Sequence, residues 1–113
     1  MLSFPDTDEI EVHLVLHGRR AIGRAPASGG LVAVVGATLD ALRGFGLELA
    51  VEPSWAREMN DSAATPHLVA VGVDEPDAGR PLFGLASGSS AIDACARATL
   101  DALNRQIERE LPH

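Results

Sequence analysis

The chain is poor in aromatic residues, which make up 4 % of it, with no tyrosine and a single tryptophan. That scarcity excludes the base-stacking platforms of many nucleic-acid modules, and it requires an aliphatic, alanine-rich core. Cysteine is nearly absent too. Cys95 stands alone, so no disulfide can form within the chain, which fits a reducing compartment. Long apolar runs are missing. The longest, around Leu31–Val35, falls far short of the roughly 20 residues that span a bilayer, and the opening MLSFPDTDEIE has neither the basic nor the apolar region of a signal peptide. Positive charge is also scarce, with nine basic residues against sixteen acidic ones and a formal net charge of −7. Such a field repels polyanions, and no basic stripe offsets it. The expectation is a cytoplasmic protein with no nucleic-acid and no membrane partner.

What remains is ample for one folded unit. At 113 residues and 46 % hydrophobic content, the chain suffices for a single domain without metal or disulfide staples. Glu9–His17 alternates, with Ile10, Val12, Leu14 and Leu16 on one face, as a half-buried strand does. Gly18 turns the chain, and Arg19–Ala25 returns as the second arm of a hairpin. After the PASGG breaker, Leu31, Val34, Val35, Leu39 and Leu42 recur at helical spacing. Gly44 and Gly46 are stop signals for that helix, and the interior Gly36 points to close packing. Leu47–Glu52 alternates as a third strand, and Pro53–Pro66 has no sustained period and reads as a loop. His67–Asp74 and Pro81–Ala86 read as two further strands. A second helix is expected from about Ser90 to Glu110, opened by a Ser90/Asp93 capping box. Its buried stripe would be Ile92, Cys95, Ala96, Thr99, Leu103 and Ile107. Asp93–Arg97, Arg97–Asp101 and Asp101–Arg105 are spaced as ion pairs on the wet side.

The two halves repeat. The segment from Gly18, GRRAIGRAPASGGLVAVVGATLDALR, overlays without gaps on GRPLFGLASGSSAIDACARATLDALN from Gly79. Gly18/Gly79, Arg19/Arg80, Gly23/Gly84, Ala25/Ala86 and Ser28/Ser89 coincide, as does the string ATLDAL at Ala37–Leu42 and Ala98–Leu103. Val12 and Val73 fall at the same offset. Duplication is the reading. The expected fold is therefore α+β, with duplicated ββ(β)α units of about 9–45 and 46–110 in one domain. It would have a mostly antiparallel sheet with two helices packed on one face.

Catalytic signals are weak. His13 and His17 would lie about 13 Å apart on one strand, too far to share a metal, and His67 and His113 are isolated. Cys95 falls on an apolar stripe and reads as a core residue. There is no P-loop, no G-x-S-x-G and no H-E-x-x-H, so no enzyme, metal or cofactor is expected. One repeated feature is suited to binding. Each unit leads through small residues into a helix start, Ala27-Ser28-Gly29-Gly30 in the first and Gly88-Ser89-Ser90-Ala91 in the second. Free N–H groups there suit a carboxylate or phosphate, and ordinary capping is the alternative.

These hairpin exits, the ALRGFGLEL link and the terminal GLASGSSAIDACARATLDALNR resemble the C-terminal regulatory domain shared by 2-isopropylmalate synthase and citramalate synthase. The likeness is strongest at Gly84, Ala94, Ala98, Ala102, Asn104 and Arg105. It extends from about Glu9 onward, without the catalytic barrel. The resemblance implies a duplicated βββα fold, dimer contacts and allosteric binding of leucine or isoleucine. With the two helix starts, it makes Ser28, Gly29, Gly30, Glu52, Ala56, Ser89, Ser90 and Ala91 the candidate ligand contacts. Glu52 stands where the family has an aromatic residue, and Trp55 where it has a histidine. A leading strand for the first unit would have to come from around Leu2–Phe4. Two readings follow. The chain is a stand-alone regulatory domain, homodimeric, binding a branched-chain amino acid or related carboxylate and acting on a synthase in trans. Alternatively it is a ligand-free assembly module. Val15 and Ala50 are the apolar residues expected on the self-association face.

Overall fold

The first hairpin forms where alternation places it. β1 (Glu9–Leu16) and β2 (Arg19–Pro26) pair antiparallel, with Leu16 opposite Arg19. His17 and Gly18 make the turn with φ of 51° and 77°, the left-handed pair that matches strand twist in a two-residue hairpin. The computed structural model describes residues 9–60 and 66–110, so Leu2–Phe4 and His113 lie outside the described residues.

A one-turn 3-10 helix (Ala27–Gly29) leads into α1 (Gly30–Gly44). Val34, Val35, Leu39 and Leu42 are buried, as their spacing requires, along with Ala37, Thr38 and Ala41. The helix ends on its glycines. Gly46 has φ 88° and its N–H donates to the Arg43 carbonyl at 2.9 Å. Gly36 does not mark a close approach, because a Cβ placed there would meet only Pro53 Cγ at 3.9 Å.

The third strand lies later than alternation suggests. Leu47, Leu49 and Val51 are buried and Glu48 and Ala50 are exposed, yet this segment joins no ladder. Two of its carbonyls are taken by one side chain. Arg43 donates to the Leu49 oxygen at 3.3 Å and to the Val51 oxygen at 3.0 Å. Pairing begins instead at β3 (Glu52–Glu58), inside the stretch read as a loop, with a register irregularity between Pro53 and Trp55. β3 pairs with β4 (His67–Glu75), and β4 with β5 (Arg80–Gly88), all antiparallel.

The second helix is broken near its end. α2 (Ala91–Ala102) stops at Leu103, whose N–H is shared between the Thr99 and Leu100 carbonyls at 3.2 Å each. That tightening is typical of a helix end, and α3 (Asn104–Glu110) follows. The buried stripe of α2 is Ala94, Cys95, Ala98, Thr99 and Ala102. Ile92 is 46 % exposed and does not belong to it.

The architecture is α+β, a two-stranded and a three-stranded antiparallel sheet with helices packed on them. α1 covers β1 and β2, α2 covers β4 and β5, and the two helices touch. Val69, Val71 and Val73 are fully buried beneath α2, each worth about 1.5–3 kcal/mol of apolar burial.

The duplication is visible atom by atom. Gly23 lies against the Ala37 carbonyl and Ala41 N–H, and Gly84 against those of Ala98 and Ala102. Asp40 accepts the Arg24 N–H at 3.2 Å, and Asp101 accepts the Leu85 N–H at 3.1 Å. Thr38 and Thr99, both buried, donate to the carbonyls of Val34 and Cys95. The leading strands obey a different offset. Gly23 faces Val12 across the ladder, and Gly84 faces Val71. Val12 therefore corresponds to Val71 and not to Val73. The cause is the second turn, Pro76–Gly79, which has four residues where the first has two.

Candidate functional site

The two loop-to-helix junctions are built differently. At α2, Ser90 is extended and its hydroxyl accepts the Asp93 N–H at 3.0 Å. Asp93 reaches back to accept the Ser89 N–H at 3.1 Å and also meets Arg97 at 3.1 Å. The Ser89 N–H, aided by Arg97, holds the Asp93 carboxyl below its ordinary range. The expected capping box thus forms, with Ser89 as the reciprocal donor. Its own carboxylate takes up one of the N–H groups at that junction.

At α1 there is no such device. Gly29 precedes the helix in helical conformation with no side-chain cap, and Gly30 has φ 69° with its N–H turned to the Ala27 carbonyl. Ser28, Gly29 and Gly30 are exposed. The junctions do approach one another, because the Cys95 thiol donates to the Leu31 carbonyl at 3.4 Å. This contact sets the first turn of α1 against α2. Burial pushes that thiol up to about 12, so Cys95 is a packing residue and a poor nucleophile.

The other two candidates stand apart. Glu52 pairs with Asp74, which faces Pro81. From there to Ser89 is eight residues of strand, or about 26 Å at 3.3 Å per residue. Ala56 faces Val71 at mid-strand and is half-buried on the inner side. Ser28, Gly29, Gly30, Ser89, Ser90 and Ala91 share one end of the molecule, and Glu52 sits at the other.

No protein-family model matches the chain, and no curated protein matches it.

The described histidines do not gather. His13 Nε2 meets Glu11 at 3.1 Å on the exposed face of β1, and His67 Nδ1 lies 3.5 Å from Glu58. Among the described residues, no three His, Cys, Asp or Glu side chains cluster as a metal site would require. Of the three expected helix-surface ion pairs, only Asp93–Arg97 forms, since Asp101 serves the Leu85 N–H instead.

Sequence reasoning missed a polar group that ties α3 to the second hairpin. Glu75 closes β4, and its Oε1 takes Arg80 Nε at 3.1 Å while its Oε2 takes Gln106 at 3.2 Å. Arg80, then Gln106, hold its carboxyl below the ordinary range. The signal was available, because Glu75 and Arg80 flank the turn and face each other once the hairpin is drawn.

It also missed an apolar surface. On the outer side of the second sheet, the Trp55 indole lies over Gly72, where any Cβ would run into it. The ring stands 6.1 Å from that of Phe83. Phe83 is 63 % exposed and Leu85 53 %. Of the two residues expected on an association face, Val15 is exposed on the first hairpin, whereas Ala50 lies in the segment between α1 and β3. Among the described residues, no helix is long and apolar enough to cross a membrane.

Proposed function

We propose that the chain is a non-catalytic regulatory domain that works by self-association, of the kind carried at the C-termini of 2-isopropylmalate synthase and citramalate synthase. One observation carries this reading. The two hairpins are equivalent in backbone but present different surfaces. Outward on the first, Glu11 faces Arg24 in a 3.0 Å ion pair, and His13 faces Ile22. At the matching positions of the second, Ala70 faces Leu85 and Gly72 faces Phe83, with Trp55 beside them. The first hairpin mixes Val15 and Ile22 with charged residues, whereas the second sheet gathers Trp55, Phe83 and Leu85, with Arg57 at their margin, and is the face suited to pairing. A second copy of this chain, related by a two-fold axis, is the occupant. Sedimentation velocity tests it. A dimer is expected at micromolar concentration, and Leu85→Glu should give a monomer with an unchanged circular dichroism spectrum. A wild-type monomer throughout the range would overturn the reading.

The approach of the two helix starts through Cys95 and Leu31 favours a second element, a small amino or organic acid bound near Ser28–Gly30. The Asp93 carboxylate already takes up one N–H group at the α2 junction, so the α1 junction is the more open one. A thermal-shift series with leucine, isoleucine and valine separates this from a ligand-free assembly module. Saturable stabilisation supports a ligand, and none at millimolar concentration supports assembly alone. Action on a synthase in trans follows only in the first case.

A further inference from the structure

We propose that the groove between the start of β5 and α3 binds a small organic or inorganic polyanion, gripped by the guanidinium groups of Arg80, Arg105 and Arg109. The groove has a volume of about 380 Å³ and is also lined by Asn104, Gln106, Phe83 and one carboxylate, that of Asp101. That size falls within the range of roughly 300–1,000 Å³ usual for small-molecule sites.

All nine basic residues of the chain are arginine, and three of them line this one groove although the protein carries a net charge of −7. Arg105 and Arg109 are four residues apart on α3, so they emerge from the same side of the helix. The carboxylate spaced to neutralise Arg105 is Asp101, which also lines the groove but makes no ion pair with it. Its oxygen accepts the Leu85 N–H, the same duty that Asp40 performs for Arg24 in the first unit. Among the described residues, neither Arg105 nor Arg109 makes an ion pair. Arg80 is held by its Nε to Glu75, and Gln106 secures the other Glu75 oxygen. This linkage ties α3 to the hairpin and fixes one guanidinium at the groove.

The duplication supplies an internal control. α1 ends at Gly44 and turns through Phe45 and Gly46, with no counterpart of α3. The groove therefore exists only where the second unit departs from the repeat. Planar guanidinium forks match carboxylate and phosphate oxygens equally, so the shared chemistry is an anion with at least two charged oxygen groups. This site does not rest on the α1 junction, and Phe83 is the residue it shares with the proposed association face.

Isothermal titration of the full chain at low ionic strength, with citrate and inorganic pyrophosphate, tests the assignment. Acetate is the monovalent control. Saturable binding of citrate, pyrophosphate or both is expected, at least about tenfold tighter than acetate and weakened by added salt. Binding of one alone identifies the ligand as carboxylate or phosphate. Arg105→Gln and Arg109→Gln should each weaken it about tenfold, with Arg97→Gln, on α2 away from the groove, unchanged. Absence of saturable binding, or equal loss in Arg97→Gln, overturns the proposal. Thermal melts of each variant separate lost binding from lost folding.

Discussion

Gly23 and Gly84 make the same contact in the two halves, each laid against the carbonyl of the eighth residue of its own helix, Ala37 and Ala98. In both cases a Cβ would occupy the place of that carbonyl oxygen and crowd the N–H one turn later. The strand and helix can approach this closely only where the side chain is missing.

Gly23→Ala and Gly84→Ala should therefore each destabilise the fold by about 3 kcal/mol, the upper part of the usual overpacking range, because backbone and not a flexible side chain must yield. Urea denaturation followed by circular dichroism measures this. A loss under about 1 kcal/mol at both sites would show that the strands can shift away.

Gly36→Ala should act in the opposite direction. The position is interior to α1 and has ordinary van der Waals space toward Pro53. Replacing an interior helical glycine by alanine gains up to about 1 kcal/mol. A rise in melting temperature checks it.

Stability should fall in acid partly through Glu75. Its carboxyl is held below the ordinary range by Arg80 and Gln106. Its contribution is therefore present above the unfolded-state value and is lost as pH drops through the folded one. Glu75→Gln should flatten the pH dependence of stability below about pH 5. If stability-against-pH curves of variant and wild type run parallel in that range, Glu75 plays no such part.

Cys95 should resist thiol reagents in the native state. It is buried and its thiol is pushed up to about 12, so little thiolate forms at neutral pH. Labelling with a chromogenic disulfide should track global unfolding across a denaturant series. Rapid stoichiometric labelling without denaturant would contradict the packing described here.

The helices, the first hairpin and the duplication were legible because each has a local signature in periodicity or in matched glycines. β3 was not. Leu47, Leu49 and Val51 alternate as a strand does, but Arg43 satisfies two of the carbonyls that a ladder would have used. The true strand contains Pro53 and a bulge, which disguise its period. Trp55 was consequently placed in a loop, and the apolar face it shares with Phe83 went unseen. The candidate site was only partly legible. The helix starts do meet, through Cys95 and Leu31, but no local pattern places Glu52 at the far end of β4 from Ser89. That separation comes from the antiparallel register.

The unequal hairpin turns carry a consequence for how such a chain can drift. Two extra residues in Pro76–Gly79 slide β4 by an even step relative to its duplicate, so Val69, Val71 and Val73 still point inward. A single inserted residue, if the strand slid to accommodate it, would bring Ala70, Gly72 and Asp74 inside and turn the valines out. Length changes are therefore filtered by parity only where they shift the ladder, and a change that the Pro76–Gly79 loop takes up itself leaves the valines inward.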